Sequence, residues 1–322
     1  MSRHISTGLA AVAFVVCATS AFAQNYPTRA VRVIVPWPAG GSIDTTARIV
    51  TQRLSSVLHG SFIVDNRAGA AGTIGAELTA KSPADGHTLM VHSATHVANA
   101  TTYKQLPYRT IEDFTPIAFL SAQPAVLVVH SSLPVKSTRE FIALAKSRPA
   151  QINYASSGNG SSPHLAMGLF ATTANISLTH VPFRGGPPAI TSLLAGETQA
   201  SIATLPNALP HVTAGRIRAL GVTTAKRAAS TPNIPTIAES GLPGYEMNPW
   251  ISLFGPAGLK RDLVAELNTT VNKILREPDI AKSMVNQGLE AWSGTPEQLA
   301  ARMRTDLDKF AKLIKAIGVT ND

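Results

Sequence analysis

Three sets of side chains carry the possible chemistry of this sequence. Ser157, Ser161 and His164 fall in one short run, Ser156-Ser157-Gly158-Asn159-Gly160-Ser161-Ser162-Pro163-His164. A hydroxyl beside an imidazole suggests a serine nucleophile with a general base, hence acyl transfer. The run lacks the Gly-x-Ser-x-Gly turn that presents such a nucleophile in α/β hydrolases. His92 and His96 stand four apart, as two ligands on one helix face would. They have neither a His-Glu-x-x-His signature nor an evident third ligand, so no metal and no cofactor is expected. The third set is more extensive: loops rich in Gly, Ser and Thr, each following an apolar run and opening a helical pattern.

The first of these loops is Pro36-Trp37-Pro38-Ala39-Gly40-Gly41-Ser42-Ile43-Asp44. Its glycines allow close backbone approach to a ligand, and Ser42 is expected to cap the helix that follows. Free N–H groups at such a start favour an anion. Asp44 has two readings, ligand contact or simple complementarity to the helix dipole. The second loop is Asn66-Arg67-Ala68-Gly69-Ala70-Ala71-Gly72-Thr73-Ile74-Gly75. Its glycine spacing fits neither a dinucleotide fingerprint nor a Walker loop. A third loop carries Ser93 and Thr95, the serine-rich run above is a fourth, and Phe183-Arg184-Gly185-Gly186-Pro187 is a fifth. Arg184 could grip a carboxylate or merely be solvated. These loops are polar and nearly uncharged. They suit binding, which needs convergent N–H and hydroxyl groups, better than catalysis, which needs a tuned base.

The elements that place these loops follow from periodicity. Strand-like runs at 31–35, 62–64, 88–91, 125–129, 152–154, 178–181, 200–203 and 218–222 alternate with helical patterns, which predicts α/β architecture with largely parallel sheets. Ser137 with Glu140 and Thr295 with Gln298 read as capping boxes. The C-terminal third reads as helical, and the Pro/Gly-rich stretch 232–256 as a return connection.

The chain has 322 residues, 28 Lys+Arg against 19 Asp+Glu, a formal charge of +9, and one cysteine. The size favours two lobes over one core. Arg3 and His4, the apolar run 9–18 and Ala21-Phe22-Ala23 read as a secretory signal cleaved after Ala23. The run is shorter than the ~20 residues that span a membrane. Removal of residues 1–23 would leave 299 residues at +8 with no cysteine, which excludes thiol and iron–sulfur chemistry. An exported protein with 6% aromatic residues, not interleaved with basic ones, is not expected to bind nucleic acid.

In their order, these motifs resemble the Bug family of periplasmic solute receptors that serve tripartite tricarboxylate transporters. The run 34–44, the run from Val64 to Gly75, Pro83-Ala84-Asp85-Gly86, Asn153-Tyr154-Ala155-Ser156-Ser157-Gly158, Val181-Pro182-Phe183-Arg184-Gly185 and Gly255-Pro256-Ala257-Gly258 carry the likeness over essentially the whole mature chain. The resemblance implies a two-lobed Venus-flytrap fold, each lobe a mostly parallel sheet flanked by helices. Residues 24–124 plus 248–322 would form lobe one and 125–247 lobe two. It also implies a periplasmic receptor, not an enzyme. The partners would be a small organic anion (a dicarboxylate, amino acid or aromatic acid) and membrane transporter subunits. The chain is expected to be a monomer. Site residues implied in lobe one are Trp37, Ala39, Gly40, Gly41, Ser42, Asp44, Ala71, Gly72, Thr73, Ser93 and Thr95; those in lobe two are Ser157, Ser161, His164, Gly185 and Thr204. Thr204 stands where relatives often carry Asp, which weakens an amino-acid ligand. Trp37 replaces the commoner Phe or Tyr. Rival readings are a periplasmic hydrolase using Ser157 or Ser161 with His164, and a sensory partner of a histidine kinase.

Overall fold

The computed structural model describes residues 26–319, so the signal segment lies outside the described residues. Two sheets form. The first contains β1 (Val31–Val35), β2 (Phe62–Asn66), β3 (Thr88–Ser93), β4 (Phe114–Ala122), β10 (Trp250–Pro256) and β11 (Glu290–Ala291), in the order β11-β4-β10-β3-β1-β2. The second contains β5 (Ala125–His130), β6 (Asn153–Ser156), β7 (Thr179–Pro182), β8 (Ala200–Thr204) and β9 (Ile217–Val222), in the order β7-β6-β8-β5-β9. Parallel pairing joins β2-β1-β3 and β7-β6-β8, whereas β10, β4 and β11 in the first sheet and β5 and β9 in the second pair antiparallel. Each sheet is therefore mixed rather than largely parallel, because the strands that follow a passage between the sheets, β5 and β10, run against their neighbours. The polypeptide passes between the sheets twice, from β4 to β5 and from β9 to β10.

The helices in chain order are α1 (Ser42–Val57), α2 (Thr73–Ala80), α3 (Thr95–Thr102), α4 (Thr138–Ser147), α5 (Ser162–Ala174), α6 (Gly186–Leu194), α7 (Leu205–Thr213), α8 (Arg261–Ile274), α9 (Pro278–Asn286) and α10 (Pro296–Ile317). The apolar side chains of α1 at Ala47, Val50 and Leu54 are fully buried against β1 and the face of α8 that carries Leu267 and Val271. The long stripe of α10 packs on both α3 and α5. There Gly168 lets Ile317 come close: a Cβ at Gly168 would stand 2.6 Å from Ile317 Cδ1. Deep in the same region Asp306 of α10 accepts hydrogen bonds from Trp250 Nε1 and Arg302 Nε, both at 2.8 Å, so the helix is pinned to β10.

Three expectations need correction. The stretch 232–256 is not merely a return connection, because its end is β10, an interior strand of the first sheet with every residue buried. Pro249, Gly255 and Pro256 mask that strand in the sequence; the prolines sit outside or at the end of the paired segment, where no ladder donor is missed. Strand β4 was likewise hidden by Pro116, which lies beside an irregularity in the β4–β10 ladder. Finally, Ser42 does not cap α1. Gly41 is the N-cap residue, and the Ser42 hydroxyl bonds instead to Gln123 Nε2. The helix signals at Ser137 and Thr295 behave differently from each other. Thr295 and Gln298 form the reciprocal box. Ser137 caps α4, but Glu140 reaches past it to the Lys136 N–H.

Candidate functional site

Between the two sheets lies a cleft with a narrow inner chamber of about 40 Å³ and a wider outer vestibule of about 660 Å³. Trp37, Pro38, Ser157 and Gly185 line both, so the two spaces are continuous. The inner chamber collects the starts of five helices: Gly41, Ser42 and Ile43 for α1, Thr95 for α3, Ser161 to Pro163 for α5, Gly185 to Pro187 for α6, and Thr204 with Asn207 for α7. All five helices start at the carboxyl ends of strands, or of the loops that follow them, at the rim where open α/β sheets receive ligands. The first N–H groups of a helix have no intrahelical acceptor, and the aligned peptide dipoles leave positive potential there. No charged side chain lines the chamber.

Of the residues implied by the sequence, Trp37, Gly41, Ser42, Ser93, Thr95, Ser157, Ser161, Gly185 and Thr204 border the inner chamber. Ala71 and Gly72 border the vestibule. Ala39, Gly40, Asp44, Thr73 and His164 border neither.

Asp44 works as a tie within the loop. One carboxylate oxygen accepts from the Gly40 N–H and Arg48 Nε, each at 2.9 Å; the other accepts from Asn66 Nδ2 at 3.0 Å. Asn66 also donates to the Trp37 carbonyl, so Asp44 and Asn66 together hold Trp37 to Gly41 in shape. Burial alone would push the Asp44 carboxyl up, but the bonds from Arg48, Gly40 and Asn66 outweigh it and hold it below the ordinary carboxylate value.

His164 supports the serine-rich loop from behind. Its Nδ1 accepts the Gly160 N–H at 3.1 Å, and its ring stacks on His180 with centroids 3.8 Å apart. The Ser161 hydroxyl donates to the Gly158 carbonyl at 2.7 Å. Neither Ser157 nor Ser161 bonds to the His164 ring, so the Ser–His couple of a hydrolase is not assembled. Burial, with His180 adding to it, pushes His164 down to about 3, and burial pushes His180 down to about 4.

His92 and His96 lie fully buried behind the vestibule. Ser93 N–H donates to His92 Nδ1 at 2.8 Å, and His96 Nε2 meets the Thr110 carbonyl at 3.1 Å. Among the described residues no three His, Cys, Asp or Glu side chains gather as a metal would require. His92 instead forms a floor under Gly72: a Cβ on Gly72 would be 2.6 Å from His92 Nε2.

These buried imidazoles set an acid limit. His96, His164 and His180 are neutral in the fold, with values near 4, 3 and 4 against an ordinary 6.5. Unfolded chains take up these protons below pH 6.5 and the folded chain does not until about pH 4. Stability is therefore full above 6.5 and falls as pH drops toward 4. Thermal melts are expected to lose on the order of 10 °C between pH 7 and 4.5. A melting temperature that stays flat over that range would contradict this assignment.

The residues that motif reading missed are Gln123, Asn207 and Tyr103. Gln123 belongs to no loop motif; its only signal is a polar residue between two apolar runs, just before β5. Asn207 sits three residues beyond Thr204, inside the run that opens α7.

A two-lobed α/β protein whose cleft gathers helix starts around an uncharged chamber has the build of a solute-binding protein. The chain belongs to the tripartite tricarboxylate transporter receptor family (TctC), whose model matches residues 46–319. Three solved structures are similar to it. Rpa4515 of R. palustris with adipate is 36% identical, with a TM-score of 0.88 over 92% of this chain and 99% of that one. The periplasmic binding protein BugD is 28% identical, with a TM-score of 0.86 over 92% and 100%. MatC of Rhodopseudomonas palustris with bound malate is 31% identical, with a TM-score of 0.84 over 90% and 100%.

Proposed function

We propose that this protein is a periplasmic receptor that binds a small carboxylate between its lobes and delivers it to the membrane subunits of a tripartite transporter, without bond chemistry. One observation supports this reading above others: five helix starts converge on a chamber that no charged side chain lines. Such a site stabilises an anion through backbone N–H groups and hydroxyls. The similar structures with adipate and malate support the carboxylate class. The chamber contains no carboxylate to accept an ammonium group, and both Asp44 oxygens are already engaged, which disfavours zwitterionic amino acids.

The membership of the two sheets supports a division into residues 24–124 with 248–322 and 125–247, in which the passages near 123–124 and 248–249 would act as hinges. Secretion with cleavage after Ala23 completes the reading. A thermal-shift screen of dicarboxylates, hydroxy acids, aromatic acids and amino acids tests it. Carboxylates without an ammonium group should raise the melting temperature; stabilisation by amino acids alone would contradict the proposed ligand class.

A further inference from the structure

The inner end of the chamber holds two buried polar atoms with no partner, Gln123 Oε1 and Thr204 Oγ1. Their residues are 3% and 5% exposed. The two come from different segments. Gln123 lies in the first passage between sheets, where its N–H donates to the Pro249 carbonyl of the second passage at 2.8 Å. Thr204 ends β8 and pairs in register with Ala125, two residues beyond Gln123. It is also the N-cap residue of α7, yet its hydroxyl makes no capping bond. An N-cap threonine ordinarily bonds the N–H of the second or third helical residue. This one leaves its hydroxyl available to the chamber.

Buried polar groups are costly when unpaired, so such a pair must find a partner in the chamber. The void behind them, bounded by Ala125, Thr223 and Met247, is only about 10 Å³. That leaves room for one water at most, against about 40 Å³ on the chamber side. The chamber side is therefore where their hydrogen bonds go.

We propose that Gln123, together with Thr204, forms a subsite for a neutral hydroxyl carried by the ligand. This rests on the carboxylate-receptor reading above and narrows it to hydroxylated monocarboxylates. A hydroxyl both donates and accepts. It gives its proton to Gln123 Oε1 and accepts from the Thr204 hydroxyl, which pairs both atoms at once. The Gln123 Nε2 donates to the Ser42 hydroxyl, which leaves the amide oxygen as the atom without a partner. An ionised carboxylate there has no proton to give and would leave the Gln123 oxygen unpaired.

Calorimetry with matched probes tests the assignment: 4-hydroxybutyrate against succinate, and 6-hydroxyhexanoate against adipate and hexanoate. The wild type should bind the hydroxy acid of the better-fitting length at least about tenfold tighter than its dicarboxylate partner. Gln123→Met keeps the side-chain length and should lower the ratio of hydroxy-acid to hexanoate affinity about tenfold; Thr204→Val should behave in the same way. If either variant melts early, the ratio of hydroxy acid to hexanoate affinity within that variant still reads the contact. A wild type that prefers the dicarboxylates, or variants whose ratio equals that of the wild type, would overturn the subsite while leaving the receptor reading intact. Failure of every carboxylate in the thermal-shift screen to bind the wild type would instead overturn the receptor reading, and this subsite with it.

Discussion

Replacement of Gly41 by leucine is expected to abolish carboxylate binding, by at least about 100-fold in Kd, while the melting temperature stays within about 2 °C of the wild type. Gly41 has φ −79° and ψ 166°, an extended conformation open to any residue. A Cβ there would touch only the Pro38 carbonyl, at an ordinary 3.5 Å. The side chain would enter a chamber of about 40 Å³ that Gly41 itself borders. It would also cover the first N–H groups of α1. Gly72 differs. Its φ is +92°, and an added Cβ would collide with the buried His92 ring. Gly72→Leu should therefore lose binding together with about 3 kcal/mol of stability, from the backbone conformation and the overpacking combined. Calorimetry with melts on both variants checks the contrast. A well-folded Gly41→Leu that still binds would remove the α1 start from the site.

The second large effect is expected at Asp44, which borders no part of the cleft. Asp44→Ala deprives the Gly40 N–H, Arg48 and Asn66 of their shared acceptor. Arg48 is half exposed and can return to water, so the stability cost should be modest, about 2 kcal/mol. The binding cost should be larger, about tenfold or more, because the loop from Trp37 to Gly41 is no longer held. Asp44→Asn should resemble it, since an amide cannot accept at all three donors. The pH dependence has a definite sign. The carboxyl is held below its ordinary value, so its stabilisation is present above about pH 4 and lost as pH falls through the lowered value. Equal affinity of Asp44→Ala and the wild type would show that the loop is held by other means.

What the sequence made legible and what it hid have physical causes. The loops after β1, β2, β3, β6 and β7 were readable because a short apolar run followed by Gly, Ser and Thr has few structural meanings in an alternating α/β chain. Trp37, Gly41, Ser157 and Gly185 reach the cleft for that reason. Thr73, His164 and Asp44 sit in the same motifs yet turn into their own lobes, since a motif fixes the backbone of a loop and leaves the direction of each side chain to packing. Gln123 was invisible because its role depends on where two passages between sheets cross, and that is set by contacts distant in sequence. Strand β10 was hidden for a related reason. Its prolines and glycine resemble a linker, and only the partners on both sides, β3 and β4, make it an interior strand.

The central claim is that the cleft binds a carboxylate and returns it unchanged. The most direct measurement is equilibrium binding of a carboxylate found in the thermal-shift screen, followed by recovery of the bound molecule and its mass analysis. One molecule per chain, recovered chemically intact after prolonged incubation, is the predicted result. Conversion of the carboxylate on the protein, or turnover of the corresponding ester that is lost in Ser161→Ala, would contradict it.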